Sequence, residues 1–273
     1  MIVRKSAAEL VRMRAANALV AEVLAELRRL VEPGVTTHDL DAVAERKVRE
    51  AGAVPAFKGY NGFPSTLCAS VNEAVVHGIP TATPLADGDI VSLDMGAVLD
   101  GFFGDSAITV PVGDIPDRVS DLLRVTREAL GLAIEQMQVD GHVSDIGHAV
   151  QRHVEAHGFS VVREFVGHGI GVSLHEDPQI PNYGEPGRGP RLAAGMVLAI
   201  EPMVTMGKPA VKVLGDGWTA VTRDGSLAAH FEHTVAVTAA GPEVLTLADI
   251  GLNGTVAASG QASTIPEPAS PRG

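Results

Sequence analysis

The sequence is short of cysteine and of long apolar runs. Cys68 is the only cysteine among 273 residues, which excludes a disulfide framework. No apolar run approaches the ~20 residues that a membrane-spanning helix needs. Charged residues at Arg4 and Lys5 fall where a signal peptide would have its apolar stretch. We therefore expect a reduced, cytosolic protein with no membrane partner.

Positive charge is also scarce. The chain has 21 basic and 33 acidic side chains, which give a formal net charge of −12. Because non-specific binding of nucleic acid needs a basic surface, we expect no such affinity and no specific nucleic-acid sequence as a partner. Apolar residues make up 45% of the chain, which excludes wholesale disorder, and the length allows one large domain or two small ones. The excess of carboxylates fits either plain solubility or a site that concentrates acids for chemistry.

Four amphipathic helices are predicted from apolar residues that recur at helical spacing. The first covers residues 6–31, and Ser6 with Glu9 forms a capping-box pattern at its start. The others cover residues 37–52, 116–137 and 144–157. From Val161 onward the pattern predicts mostly short strands, broken by glycine and proline.

A shift of 106 positions aligns part of the first half of the chain with the second. The aligned pairs are Asp39 with Asp145, Leu40 with Ile146, Arg46 with Arg152, Val48 with Val154, and Gly52 with Gly158. Both halves also follow the order long helix, shorter helix, glycine, strands. The pattern predicts two αα-β halves related by a pseudo-twofold axis, with a site between their sheets. Coincidence between two amphipathic helices is the alternative.

A predicted hairpin carries two acids in apolar strands. Asp100 and Gly101 form a typical two-residue turn, so residues whose numbers add up to 201 face each other. Gly96 then faces Asp105, and Asp94 shares the face of Gly96 because side chains alternate along a strand. The two carboxylates become diagonal neighbours at about 7–8 Å. Since an unpaired buried carboxylate is costly, the pair predicts a divalent metal site. A solvated Asp105 is the alternative.

Two further acids repeat this anomaly. Glu201 follows an apolar run, and Glu232 lies in a strand-like stretch. Sites rich in carboxylates suit Mn, Fe or Co better than structural zinc, which prefers Cys and His. His168 lies between glycines that would let an ion or ligand approach the backbone. His230 would share the face of Glu232, but we expect it to be solvated at the start of that strand.

The order of these residues resembles type I methionine aminopeptidases of peptidase family M24. The resemblance covers about residues 5–250. Besides the two spaced aspartates, three motifs carry the resemblance. They are Asn-Glu-Ala-Val-Val-His-Gly-Ile-Pro, which contains His77, Gly-His-Gly-Ile-Gly, which contains His168, and Ala-Ile-Glu-Pro, which contains Glu201. It implies an α+β pita-bread fold: pseudo-twofold duplicated αα-β halves, a curved antiparallel sheet, and the dimetal site between the halves.

The resemblance implies a site for two divalent metal ions (Co, Mn, Fe or Zn). Asp94 would bind one ion, and His168 and Glu201 would bind the other. Asp105 and Glu232 would bridge the two ions. Glu201 would also carry a proton, while a metal-bridging hydroxide attacks the first peptide bond.

The resemblance also implies how a substrate binds. His77 and His175 would contact the substrate and steady the tetrahedral intermediate. An apolar pocket for the methionine side chain would be lined by Phe57, Tyr60, Phe63, Cys68, Leu174 and Trp218. The expected activity is removal of the initiator methionine from nascent proteins, with a preference for a small uncharged second residue.

Three alternatives within the same fold can be compared with the sequence. A binding protein that has lost catalysis would typically have lost metal ligands, whereas all five are present here. Enzymes for Xaa-Pro substrates usually have a further histidine four residues before the metal-binding one, where this chain has Glu164. Type II methionine aminopeptidases carry a long insertion between the last two glutamates, which are only 31 positions apart here.

The sequence departs from many members of the resembled family at two positions. Asn61 and Leu174 replace the His and Phe of those relatives, and we expect both residues to tune the affinity for substrate.

The chain is predicted to form one catalytic domain over residues 1–253, with halves of roughly 5–112 and 113–250. Residues 254–273 are rich in Ser, Ala, Pro and Gly and predict a disordered tail. The resemblance implies a monomer that acts on nascent-chain N-termini and so meets the ribosome. For the basic residues near the N-terminus we nevertheless favour solvated helix charges over a ribosome-binding patch.

Overall fold

The structure is a computed structural model that describes residues 1–247. The predicted tail at residues 254–273 lies outside the described residues. Among the helices of the described part, none is both long enough and apolar enough to cross a membrane.

Four α-helices form where the sequence predicts them, to within a few residues at each end. They are α1 (Ala7–Leu30), α2 (Thr37–Glu50), α3 (Asp117–Glu135) and α4 (Val143–Ala156). Ser6 begins α1 as predicted, since its side chain accepts a hydrogen bond from the Glu9 N–H while the Glu9 carboxylate accepts from the Ser6 N–H. A short 3-10 helix, Tyr60–Gly62, lies in the glycine-rich loop after α2.

Fifteen strands lie in the described part of the chain. The first eight are β1 (Val54–Pro55), β2 (Leu67–Val71), β3 (Ala74–Val76), β4 (Ile90–Leu99), β5 (Phe102–Pro111), β6 (Ser160–Val161), β7 (Gly167–Gly169) and β8 (Glu176–Ile180). The others are β9 (Val197–Ile200), β10 (Met203–Thr205), β11 (Val211–Val213), β12 (Ala220–Thr222), β13 (Ala228–His230), β14 (Glu232–Thr238) and β15 (Gly241–Val244).

A curled nine-stranded sheet forms the centre of the molecule. Its strands follow the order β1-β4-β5-β14-β9-β7-β8, with β2 paired to β4 and β15 paired to β14, and all the pairs are antiparallel. Two three-stranded sheets, β13-β10-β6 and β11-β12-β3, complete the strand layer. This arrangement confirms the predicted α+β class and its curved antiparallel sheet.

The β4–β5 hairpin has the register that its turn predicts. Gly96 pairs with Asp105, and Asp94 pairs with Ala107. Asp100, in the turn, has a φ of 50°, which the Asp-Gly turn type requires.

Helix α1 packs closely against this hairpin. At Gly104 in β5, a Cβ would come 2.8 Å from the carbonyl oxygen of Ala16, so only glycine allows the helix this near. Buried side chains shared by α1 and β4 include Val20, Leu24, Leu27, Leu93 and Met95. Asn17, fully buried in α1, donates to the Met13 carbonyl and accepts from the Asp105 N–H at 3.3 Å. The helix therefore holds the backbone that carries one of the candidate metal ligands.

The two helical hairpins support the predicted duplication. The Asp39 carboxylate accepts from the Thr36 N–H at the start of α2, and the Asp145 carboxylate, 106 positions later, accepts from the His142 N–H at the start of α4. Gly52 and Gly158 follow the two helices with φ values of 72° and 73°. Because caps, lengths and ends all correspond, duplication explains the alignment better than coincidence does.

Candidate metal centre

Four acidic side chains come together on one face of the central sheet. Asp94 of β4 and Glu232 of β14 lie directly opposite Ala107 of β5, one on each side. Asp105, two positions before Ala107, points to the same face because side chains alternate along a strand. Glu201 directly follows β9, which pairs with β14. Three neighbouring strands thus each supply one acid, and the residue that follows a fourth strand supplies the last.

Hydrogen bonds from neighbouring residues hold the backbones of two of these acids. The Ser106 hydroxyl donates to the carbonyl oxygen of Glu232 at 2.6 Å. The side-chain amide of Asn182 donates to the carbonyl oxygen of Glu201 at 3.0 Å. These bonds hold the backbone positions from which the two carboxylates extend.

His168, at the centre of β7, brings an imidazole to the acids. Its Nε2 lies 3.6 Å from Oε1 of Glu201 and 3.9 Å from Oδ2 of Asp105. Its Nδ1 lies 2.9 Å from the carbonyl oxygen of Gly169, which can only accept, so the proton is on Nδ1 and Nε2 presents a lone pair. Asp105, His168 and Glu232 each offer a ligand atom within 4.8 Å of the other two.

Buried oxygen atoms without partners show that cations fit this site. Among residues 1–247, Oδ1 of Asp94, Oδ1 of Asp105 and Oε1 of Glu232 are buried and accept no hydrogen bond. Burial raises the pKa of Asp94 to about 7. Burial and the neighbouring carboxylates raise the pKa of Asp105, Glu201 and Glu232 as well. Divalent ions would satisfy the oxygens and offset the mutual repulsion of the acids, so these residues fit the predicted dimetal site.

Two more histidines lie beside the acids. Tyr60 Oη and His175 Nδ1 are 2.8 Å apart, and the His175 and His168 ring centroids are 4.4 Å apart. His77 has a φ of 60° and packs edge-on against Phe165 at 5.3 Å. Burial lowers the pKa of both His77 and His175, so both are neutral at pH 7. Each can therefore offer an N–H to a substrate oxygen.

All thirteen predicted site residues line one cavity of about 260 Å³. Its apolar wall is formed by Phe57, Phe63, Cys68, Leu174 and Trp218. Phe63 and Trp218 meet edge to face, with ring centroids 5.2 Å apart. Cys68 pairs with Asp94 across β2 and β4, so the apolar wall begins next to the acids. Burial raises the pKa of the Cys68 thiol, which makes it a neutral wall group rather than a thiolate nucleophile.

The prediction that His230 is solvated is wrong. His230 is 1% exposed, lines the same cavity, and places Nε2 3.7 Å from Oε2 of Glu201. It ends β13, which pairs with β10, whereas β14 begins only at Glu232. The two-residue spacing between His230 and Glu232 was a signal that both belong to the site. The sequence did not predict the short strand β13, which buries the ring.

Comparison with known proteins decides the family. The model of metallopeptidase family M24 matches residues 11–239. The chain belongs to metallopeptidase family M24. The M24 chain is 54% identical over 246 residues to methionine aminopeptidase 1 of Bacillus subtilis and 53% identical over 247 residues to the methionine aminopeptidase of Clostridium perfringens. Each alignment covers 90% of this chain and 99% of the relative.

A solved structure agrees with these sequence relatives. The crystal structure of methionine aminopeptidase from Thermotoga maritima matches the M24 chain with a TM-score of 0.89 at 48% identity, covering 90% of this chain and 99% of that one. The resemblance to type I methionine aminopeptidases and the pita-bread fold are thereby confirmed. The M24 chain is a metal-dependent aminopeptidase.

Proposed function

We propose that this M24 metallopeptidase removes the initiator methionine from nascent proteins and prefers a small uncharged second residue. Metal-dependent release of an N-terminal methionine is the activity of the branch to which its relatives at 53% and 54% identity belong. The observation that carries the proposal is a single cavity of about 260 Å³ with buried carboxylates at one side and an apolar wall at the other.

Two divalent ions would be held by Asp94, Asp105, His168, Glu201 and Glu232. Bound there, they would supply a Lewis acid and would lower the pKa of water towards neutrality. The carboxylate-rich donor set suits Mn, Fe or Co, and one imidazole is compatible with Zn as well.

The remaining chemistry belongs to side chains of the chain itself. Glu201 holds and transfers a proton between the attacking water and the leaving amine. His77 and His175, neutral because burial lowers their pKa, donate hydrogen bonds to the substrate oxygen on which negative charge develops. Tyr60 fixes the ring of His175 through the 2.8 Å contact at Nδ1.

The apolar wall would bind the methionine side chain. A flexible thioether fits an irregular pocket and interacts favourably with aromatic rings, which Phe63 and Trp218 supply. Leu174 and Phe57 narrow the same wall. Asn61 also lines the cavity, where it would tune affinity rather than bind an ion.

We also propose that the enzyme acts in the cytosol, as a monomer that meets nascent chains at the ribosome. A single cysteine, Cys68, which is buried and unpaired, supports a reducing compartment. Gel filtration of the purified chain and co-sedimentation with ribosomes test the monomer and the contact.

Release of free methionine tests the activity. The purified chain is treated with a chelator and then assayed on a Met-Ala-Ser peptide with and without added Mn²⁺ or Co²⁺. We expect release only with metal, and none from the same peptide with an acetylated N-terminus. Absence of release with any metal, or release of the first residue from Xaa-Pro peptides instead, contradicts the proposal.

The variant Glu201→Gln tests the proton carrier. Loss of general acid–base catalysis alone typically costs 10²–10⁴-fold, and Glu201 is also a proposed metal ligand, so we expect kcat to fall by at least about that factor. Glu185→Gln, the same change at an exposed residue, is the matched control and should leave kcat unaltered.

His77→Ala tests the role of His77 in substrate binding. This variant should lose activity but keep its metal; loss of metal would contradict the assigned role.

A further inference from the structure

His230 is a buried imidazole to which the proposed reaction gives no role. It is 1% exposed, and within the described residues neither of its ring nitrogens has a hydrogen-bond partner. Buried polar atoms are nearly always paired, and an unpaired one in a native structure calls for an explanation. The ring lines the cavity of the metal centre, so we expect its hydrogen-bond partner to belong to that site.

The fold fixes the direction of this ring through the backbone. The Thr109 hydroxyl donates to the His230 carbonyl at 2.8 Å and accepts from the His230 N–H at 2.9 Å. Because the single hydroxyl proton of Thr109 is used in this way, Ser92 donates to Thr109 Oγ1 at 2.8 Å. Met203 pairs with His230 from the other side. The hairpin that carries two of the candidate ligands thus also aims His230.

The ring is aimed at Glu201. His230 Nε2 lies 3.7 Å from Oε2 of Glu201, while His168 Nε2 lies 3.6 Å from Oε1. Each oxygen of the Glu201 carboxylate therefore has one imidazole nitrogen near it. A neutral imidazole carries one N–H, and no other group in the described residues accepts it from His230.

We propose that His230 is a positioning residue whose Nε2–H donates a hydrogen bond to Oε2 of Glu201 and so orients this carboxylate for the ion that Glu201 and His168 would hold. The bond needs the 3.7 Å gap to close by less than 1 Å, and contacts of catalytic groups commonly shorten when a site is filled. The inference rests on the proposed role of Glu201 as a metal ligand. Outer partners of this kind orient a ligand and strengthen its hold on the ion.

Two substitutions separate a hydrogen bond from packing. His230→Leu removes the N–H at similar bulk, whereas His230→Gln keeps a donor that reaches Glu201. Each chain is freed of metal and titrated with Co²⁺, and the affinity and the visible absorption bands are recorded. We expect His230→Leu to weaken Co²⁺ binding about 10- to 100-fold and to shift the bands, with kcat lowered and KM little changed. His230→Gln should stay close to the unsubstituted chain in all four quantities.

His233→Leu is the control for the loss of a buried imidazole. His233 points to the other face of β14, where its Nδ1 lies 2.8 Å from Thr246 Oγ1. This variant should lose stability and keep the Co²⁺ spectrum. Equal losses in His230→Gln and His230→Leu, or an unchanged affinity and spectrum in His230→Leu, overturn the inference. Where His230→Leu fails to fold, His230→Asn replaces it, since its shorter amide cannot reach Glu201 and should lose affinity likewise.

Glu201→Gln separates a failure of the proposed metal site from a failure of the role of His230 alone. If it leaves Co²⁺ binding intact, Glu201 is not a ligand and the proposed site fails together with this inference. If Glu201→Gln loses an ion while His230→Leu loses nothing, the proposed site stands and only the role of His230 falls.

Discussion

The ammonium of Lys5 lies 2.6 Å from a carboxylate oxygen of Glu176, and their side chains are only 3% and 8% exposed. The other oxygen of Glu176 accepts from the Val172 N–H at 2.9 Å. The segment between Val172 and Glu176 carries Leu174 and His175, both of which line the cavity. This buried ion pair therefore ties the start of the chain to the segment that holds part of the substrate site.

Lys5→Met should destabilise the protein and impair substrate binding. Removing one partner of a buried pair leaves an uncompensated charge, which costs about 3–5 kcal/mol of unfolding free energy. We also expect a higher KM for Met-Ala-Ser, because Glu176 no longer fixes the segment that bears His175. Urea unfolding and steady-state kinetics measure the two effects. Arg46→Met breaks an exposed pair with Glu50 and should cost less than about 1 kcal/mol; an equally small loss in Lys5→Met would contradict the prediction.

Gly104→Ala should destabilise the fold. The new Cβ would come 2.8 Å from the Ala16 carbonyl oxygen, so α1 would have to move away from β5, and overpacking of this kind costs about 1–3 kcal/mol. Gly131→Ala, within α3, meets nothing within 4 Å and should stabilise the helix by about 0.5–1 kcal/mol. Thermal melts of the two variants should shift in opposite directions; two shifts of the same sign would refute the packing argument.

Removal of metal should lower the melting temperature. An ion that binds only the folded chain stabilises it by about 2.7 kcal/mol when present at 100 times its Kd. Calorimetry before and after addition of Mn²⁺ should show this gain in the unsubstituted chain and lose most of it in Asp105→Asn. Asp100→Asn, in the turn of the same hairpin, is the matched control and should keep the gain. A metal-dependent shift that survives in Asp105→Asn would place the ions elsewhere.

Trp218→Ala should weaken binding of the methionine side chain. Trp218 and Phe63 form one apolar corner of the cavity, and even one missing methylene in an apolar pocket costs about 1–3 kcal/mol, or 10- to 200-fold. We expect kcat/KM for Met-Ala-Ser to fall by at least about tenfold through KM, because the groups that would carry out the reaction are untouched. Val172→Ala, at a side chain that is 61% exposed, should have no effect. A fall in kcat with constant KM would assign Trp218 a different role.

Local sequence was sufficient for the elements whose chemistry is local. Helix α1 begins at the predicted capping box, and the β4–β5 hairpin has the register that its Asp-Gly turn dictates. Because side chains alternate along a strand, the turn alone brought Asp94 and Asp105 to one face. The apolar run before Glu201 marked it as a candidate ligand, but its role as proton carrier, the role of His77 and the apolar wall came only from resemblance to a family.

The sequence by itself determined the cap of α1, the hairpin and the position of its two aspartates. Only the tertiary structure decided that β14, β9 and β7 follow β5 in one sheet, which brings Glu232, Glu201 and His168 to those aspartates. The same long-range pairing buried His230, which the sequence placed in solvent. Turns and caps depend on bonds between residues close in the chain, whereas the order of distant strands depends on the packing of the whole core.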